Sequence, residues 1–168
     1  DVVFIINGLP LVIGEAKTPT RSAVTWFDGA FQVNEIYEKQ VPAMFVPNVF
    51  SFATEGKAFR YGSVRMPLDL WGPWRTRENE PEGSLADVRR SVESLLQSDV
   101  VLDVLQNFTV FATDKKHRRI KIICRYQQYF TTNQLVDRVV KGYPKKGLIW
   151  HFQGSGKSLL MVFAAQKL

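Results

Sequence analysis

Apolar residues fall in short β-branched blocks at the start of this chain and in helical stripes towards its end. Val2 to Ile6 and Leu9 to Ile13 are two such blocks, and Asn7-Gly8 between them is a hairpin-turn dipeptide. Polar residues and Pro19 make 18–21 a loop. Trp26, Ala30, Val33 and Tyr37 recur near helical spacing and predict a helix over 23–39, ended by Pro42. Strands are expected over 43–46 and 49–53, around a Pro47-Asn48 turn, and over 58–61. Strands that flank a helix in this way describe a mixed α/β domain.

Trp, Pro, Gly and charge make 71–83 a loop or linker. A helical pattern over 85–105, in two pieces, precedes an apolar stretch at 108–111 and a basic run at 115–121. A helix over 126–141, a loop over 142–146, a short strand over 147–150 and a helix over 157–168 follow. These elements divide into a first domain at 1–115 and a second at 116–168. The chain opens within a strand and stops within a helix, so each domain is expected to be part of a larger unit.

Composition narrows the class. Of 168 residues, 45% are hydrophobic, which permits a packed core and argues against wholesale disorder. The formal charge of +6 suits a polyanionic partner such as nucleic acid. One cysteine, Cys124, excludes an intrachain disulfide and a Cys-rich metal site, and fits a reducing, cytoplasmic setting. No apolar run reaches the roughly 18 residues of a membrane helix, so no membrane partner is expected.

Two constellations carry chemistry. The first is His151-Phe-Gln153-Gly154-Ser155-Gly156-Lys157-Ser158, set between an apolar strand and an apolar helix, where a phosphate loop belongs. Gly154 and Gly156 let backbone N–H groups curl round phosphate, and the following helix presents its positive N-terminus. Gln153 and Ser155 complete the cradle, Lys157 would reach the β- and γ-phosphates of ATP, and Ser158 would hold its Mg²⁺. His151 stands where the usual first glycine would be. The second constellation is Asp1, Glu15 and Lys17. Alternation puts Glu15 and Lys17 on one strand face. Two carboxylates can hold Mg²⁺, and a lysine can offset charge on a phosphate under attack. A two-residue turn at Asn7-Gly8 would place Asp1 opposite Gly14 and away from Glu15. A three-residue loop with a bulge at Gly8, or an equivalent bulge, is therefore expected. Gln32 and Tyr37 on the following helix are further candidates for touching substrate or holding Lys17.

The run Asp1 to Lys17, Arg125-Tyr-Gln-Gln128, and Gly147 to Ser158 together resemble the restriction (motor) subunit of type I restriction-modification enzymes. The three motifs occur in that family's order across almost the whole chain. The resemblance implies a PD-(D/E)xK nuclease of the RecB-like branch with a mixed central sheet, followed by the start of a RecA-like P-loop domain. Asp1, Glu15 and Lys17 match the nuclease's catalytic positions, with Asp1 and Glu15 holding Mg²⁺. The family's phosphate loop commonly begins Trp-His, which accounts for His151. Its Arg-x-x-Gln motif maps to Arg125 beside the adenine and Gln128 on the adenine edge. Its Gln-x-x-x-Tyr motif maps to Tyr37, by distance to Pro42, but Gln32 is one residue early and Val33 stands in its place. The implied activity is ATP-driven translocation and Mg²⁺-dependent cutting of double-stranded DNA away from a recognition site, in a complex with methyltransferase and specificity subunits. The alternatives are a RecB-like repair nuclease-helicase, a nuclease-fold DNA-binding module without cleavage, and an unrelated P-loop kinase or transporter.

Overall fold

The computed structural model describes residues 1–168 except Ser22, Glu78, Asn79 and Lys115. Lys115, which opens the expected basic run and closes the expected first domain, thus lies outside the described residues, as do Glu78 and Asn79 of the expected loop 71–83.

The first half is built on a four-stranded sheet in the order β1-β2-β3-β4. Strands β1 (Val2–Ile6) and β2 (Leu9–Ala16) form an antiparallel hairpin. Asn7 and Gly8 both take positive φ, at 50° and 79°, the mirror-image turn whose twist suits a two-residue hairpin. Strand β3 (Phe50–Thr54) runs parallel to β2, and β4 (Phe59–Gly62) returns antiparallel to β3. A parallel pair needs a crossover. Here it carries α1 (Trp26–Phe31), a π-helical stretch Gln32–Tyr37, α2 (Glu38–Gln40) and a 3₁₀ turn Pro42–Phe45. Thr25 caps α1 in a capping box with Asp28. The 3₁₀ turn replaces the strand expected at 43–46. Pro42 at the start of the turn has its φ preset and no N–H to pair, and Phe45 is buried.

The second half comprises α3 (Leu85–Leu95), α4 (Ser98–Asn107), the hairpin β5 (Thr109–Thr113) and β6 (Arg119–Ile123), α5 (Tyr126–Lys141) and α6 (Lys157–Lys167). The expected domain boundary falls in sequence between β5 and β6, and these two strands pair with each other. The strand expected over 147–150 does not form. Among the described residues no strand pairs with it, and Leu148 and Trp150 are 82% and 85% exposed. Apolar character alone does not make a strand without a neighbour to complete its ladder.

Alternation along β2 and β3 sorts the sheet into two faces. Ile13 and Ala53 face the crossover helices, in a core with Ala30, Val33, Phe45 and Trp71. Val12, Phe50, Phe52, Phe59 and Tyr61 face the other way. They share a core with Val88, Leu95, Val101, Phe108, Tyr129 and Phe163, so that face packs against the second half of the chain. Trp74, read from the sequence as part of a loop, is central to that core. It is 1% exposed, lies 5.6 Å from the Tyr61 ring and 5.2 Å from the Tyr129 ring, and donates its indole N–H to Ser94 Oγ at 3.1 Å. Trp74→Ala is expected to cost about 3–5 kcal/mol by emptying that space, read as a lower denaturation midpoint with an unchanged slope. A loss under about 1 kcal/mol would show that the two halves do not depend on this contact.

Candidate nuclease and phosphate-loop sites

Register decides whether Asp1 and Glu15 share a face. The hairpin pairs Ile6 with Leu9 and Ile5 with Pro10, but Phe4 with Val12, so Leu11 is an extra residue in β2. The expected three-residue loop is therefore absent, and a bulge at Leu11 does its work. Val2 then pairs with Gly14, and the same register sets Asp1 across from Glu15, on one face.

Glu15 is only 4% exposed. Gly29 of α1 packs directly against it, since a Cβ there would meet Glu15 Cγ and Ala53 Cβ at 3.2 Å each. Lys17 donates from Nζ to Glu15 Oε1 at 2.7 Å and also to Gln32 Oε1. Gln32 donates from Nε2 to the Tyr37 hydroxyl, which donates to Glu15 Oε2 at 3.2 Å. The four residues close a ring of hydrogen bonds. Burial, followed by the neighbouring Glu15 charge, raises the Tyr37 hydroxyl's pKa, so it stays a donor. Gln32 thus takes part despite its offset, because the helix between Gln32 and Tyr37 is π, not α. Among the described residues no group of three or more His, Cys, Asp or Glu side chains is placed to hold a metal.

Asn34 and Glu38 on the same helix grip the segment after β4. Asn34 donates to the Met66 carbonyl at 2.7 Å, and the Glu38 carboxylate accepts from Arg65 N at 3.0 Å. Desolvation outweighs that hydrogen bond and the Arg65 charge, with Glu35 adding repulsion, and raises Glu38 to about 7. A carboxyl raised above its unfolded value stabilises the fold at acid pH and loses that contribution as pH rises from about 4.5 through about 7. Glu38→Gln keeps an acceptor for Arg65 N and removes the charge. It is expected to stabilise the chain by about 1–2 kcal/mol at pH 8, after discounting for partial exposure, and by nothing at pH 4. Equal denaturation midpoints at pH 8 would contradict this.

At the other constellation, Gly154 and Gly156 take φ of 83° and 81°, and α6 begins at Lys157. Lys157 donates from Nζ to the carbonyls of His151 at 3.0 Å and Phe152 at 2.9 Å, lying across the loop. Gln153, Gly154 and Ser158 are exposed, and Ser155 is half-buried with its hydroxyl unpartnered among the described residues. His151 Nε2 lies 3.3 Å from Thr131 Oγ1, which ties the start of the loop to α5. Gln128 is 2% exposed and its amide is engaged at both ends. Its Oε1 accepts from Arg125 N at 2.8 Å, and its Nε2 donates to the Gly156 carbonyl at 3.1 Å. It lies so close that a Cβ on Gly156 would sit 2.3 Å from Nε2. Sequence reasoning missed this loop-holding bond, because nothing local marks a contact 28 residues away. Beside it opens a cleft of about 710 Å³ whose lining is mostly apolar, with Phe45, Met66, Phe111 and Ile122 among it, and carries the basic Arg65, Arg118, Arg119 and Arg125 and, among the described residues, no Asp or Glu.

Residues 1–69 match the family described as Type I restriction enzyme R protein N terminus. The whole chain is similar to the Type I restriction enzyme HindI endonuclease subunit of Haemophilus influenzae, with 32% identity over 177 residues, covering 100% of this chain and 17% of that protein. Over its whole length the chain is thus similar to type I restriction enzyme endonuclease subunits. A second relative, from Methanocaldococcus jannaschii, is provisionally assigned as the type I restriction enzyme MjaVIIIP endonuclease subunit. It is 30% identical over 181 residues, covering 99% of this chain and 16% of its own length. Residues 127–168 match the SWI2/SNF2 ATPase family, so the second match begins on α5 and takes in the candidate phosphate loop at 151–158. The chain spans less than a fifth of these relatives, 17% and 16%. Among the described residues no helix is long and apolar enough to cross a membrane.

Proposed function

We propose that this chain belongs to the DNA-cutting, ATP-driven subunit of a type I restriction-modification complex, and that it joins a PD-(D/E)xK nuclease site to the start of a RecA-like motor. The observation that carries the reading is the buried Glu15, held by Lys17 and Tyr37 with Gln32 closing the ring, in the same chain as a phosphate loop. Both family matches support it.

Asp1 and Glu15 would hold Mg²⁺. Their donors are all carboxylate oxygens, the hard set that Mg²⁺ accepts, and two of them leave room for water and phosphate oxygens. When bound, the metal supplies charge neutralisation at the scissile phosphate and a more acidic water. Glu15 and Gln32 fix the Lys17 ammonium beside that position, where it offsets charge building on the phosphate. Tyr37 and Gln32 restrain both side chains, so little reorganisation remains for the reacting state. At the motor, exposed backbone at Gly154 and the N-terminus of α6 would receive the phosphates of ATP, with Lys157 released from His151 and Phe152 to meet them. Ser158 would hold the accompanying Mg²⁺. The cleft beside Arg125 and Gln128, mostly apolar with arginines in its lining, suits the remainder of the nucleotide.

The test is reconstitution of the full subunit with methyltransferase and specificity subunits on unmethylated circular double-stranded DNA. Cutting that requires both Mg²⁺ and ATP supports the reading. ATP hydrolysis without any cutting would leave the first half as a DNA-binding platform.

A further inference from the structure

We propose that the π-helical register of Gln32–Tyr37 is the device that brings Gln32 onto Lys17, and that Asn34 and Glu38 are positioning residues holding that register. The inference rests on the nuclease reading above and adds to it how this chain builds the site with one residue more between Gln and Tyr.

In an α-helix, residues five apart sit about 140° apart around the axis, so Gln32 and Tyr37 would point in different directions. A π-helix bonds each N–H to the carbonyl five residues back, which stacks such residues on one face. Here Glu38 N donates to the Val33 carbonyl, five residues back, and the Gln32 amide reaches the Tyr37 hydroxyl. By the next turn, Val41 N bonds the Tyr37 carbonyl at 2.9 Å, four residues back, so the wide register ends there. The extra residue is thus absorbed within a single π stretch.

Position 33, where an α-helical reading would want the glutamine, faces elsewhere. Val33 is 0% exposed and packs with Ile13, Ala30, Phe45 and Ala53. A side chain there meets the sheet and not Lys17.

Something must hold a register that an isolated helix would abandon. Asn34 and Glu38 grip two consecutive residues, Met66 through its carbonyl and Arg65 through its N–H. Arg65 is itself in the left-handed region, at φ 61°, so this segment presents both groups in one fixed arrangement. Relaxing to α would turn residues beyond the π stretch by roughly 100° relative to those before it, and at least one grip would be lost.

The experiment compares Gln32→Ala, Asn34→Ala and the exchange Q32V/V33Q in the full subunit, with Glu15→Ala as reference. Single-turnover cleavage at saturating DNA, DNA affinity, ATP hydrolysis and thermal melting are read together. The expected result is a cleavage rate about 10²-fold lower for Gln32→Ala and for the exchange, and about tenfold lower for Asn34→Ala. DNA affinity and ATP hydrolysis stay unchanged. A merely structural role would instead move melting and affinity with the rate. An exchange variant that cuts like wild type would overturn the inference, because position 33 would then serve as well as position 32. Where the exchange fails to fold, Gln32→Ala decides, and a rate within twofold of wild type overturns the inference. If Glu15→Ala also cuts normally, the nuclease reading itself fails. If Glu15→Ala is inactive and the Gln32 variants are not, only the π-register inference fails.

Discussion

Glu15→Ala is expected to lower DNA cleavage by about 10³-fold or more while ATP hydrolysis continues. The carboxylate is buried, and it is the hub to which Lys17 and Tyr37 both donate. Its removal takes away one of the two carboxylates proposed to hold Mg²⁺ and leaves Lys17 with Gln32 as its remaining partner in the ring. The Tyr37 hydroxyl loses its acceptor. These losses fall on the charged groups that would face the scissile phosphate, so the rate of the chemical step should suffer most. The candidate phosphate loop at 151–158 makes no hydrogen bond to these residues among those described. Glu15→Gln, which keeps the size, separates loss of charge from loss of packing against Gly29. The measurement is cleavage of circular DNA beside ATP hydrolysis in one reaction. Cutting at the wild-type rate by either variant would remove the nuclease assignment.

Lys157→Ala should abolish ATP hydrolysis, by about 10²-fold or more, and ATP-dependent cutting with it. Lys157 begins α6 and its ammonium lies across the loop on the carbonyls of His151 and Phe152. Those bonds are exposed, so the variant should fold with a stability change within about 0.5 kcal/mol. The two variants therefore differ in kind. Glu15→Ala hydrolyses without cutting, whereas Lys157→Ala does neither. Retained hydrolysis in Lys157→Ala would mean that this loop is not the one that binds nucleotide.

The sequence alone determined the elements whose signals are local. Asn7-Gly8 marked the hairpin turn, because few dipeptides tolerate two positive φ values. Apolar spacing marked α5 at 126–141, and the glycines before Lys157 marked the head of α6. Glu15 and Lys17 were legible as one face of a strand. The family motifs were legible for the same reason, since each is a short run of residues with its own chemistry.

Tertiary structure decided what depends on a partner far along the chain. A bulge is expected from the sequence, but its place at Leu11 instead of Gly8 leaves no mark in the apolar pattern of β1 and β2. The strand expected over 147–150 finds no pairing neighbour among the described residues, and the one over 43–46 yielded to Pro42 and a buried Phe45. Trp74 looked like loop and proved to be a core anchor, because burial is set by what packs around a residue. Gln32 shows the division most clearly. Spacing counted it one residue out of place, yet the grips of Asn34 and Glu38 on Met66 and Arg65 accompany a π register that seats it on Lys17. Periodicity records which face of an element is buried, but the turn of a helix is settled by the contacts that hold its ends.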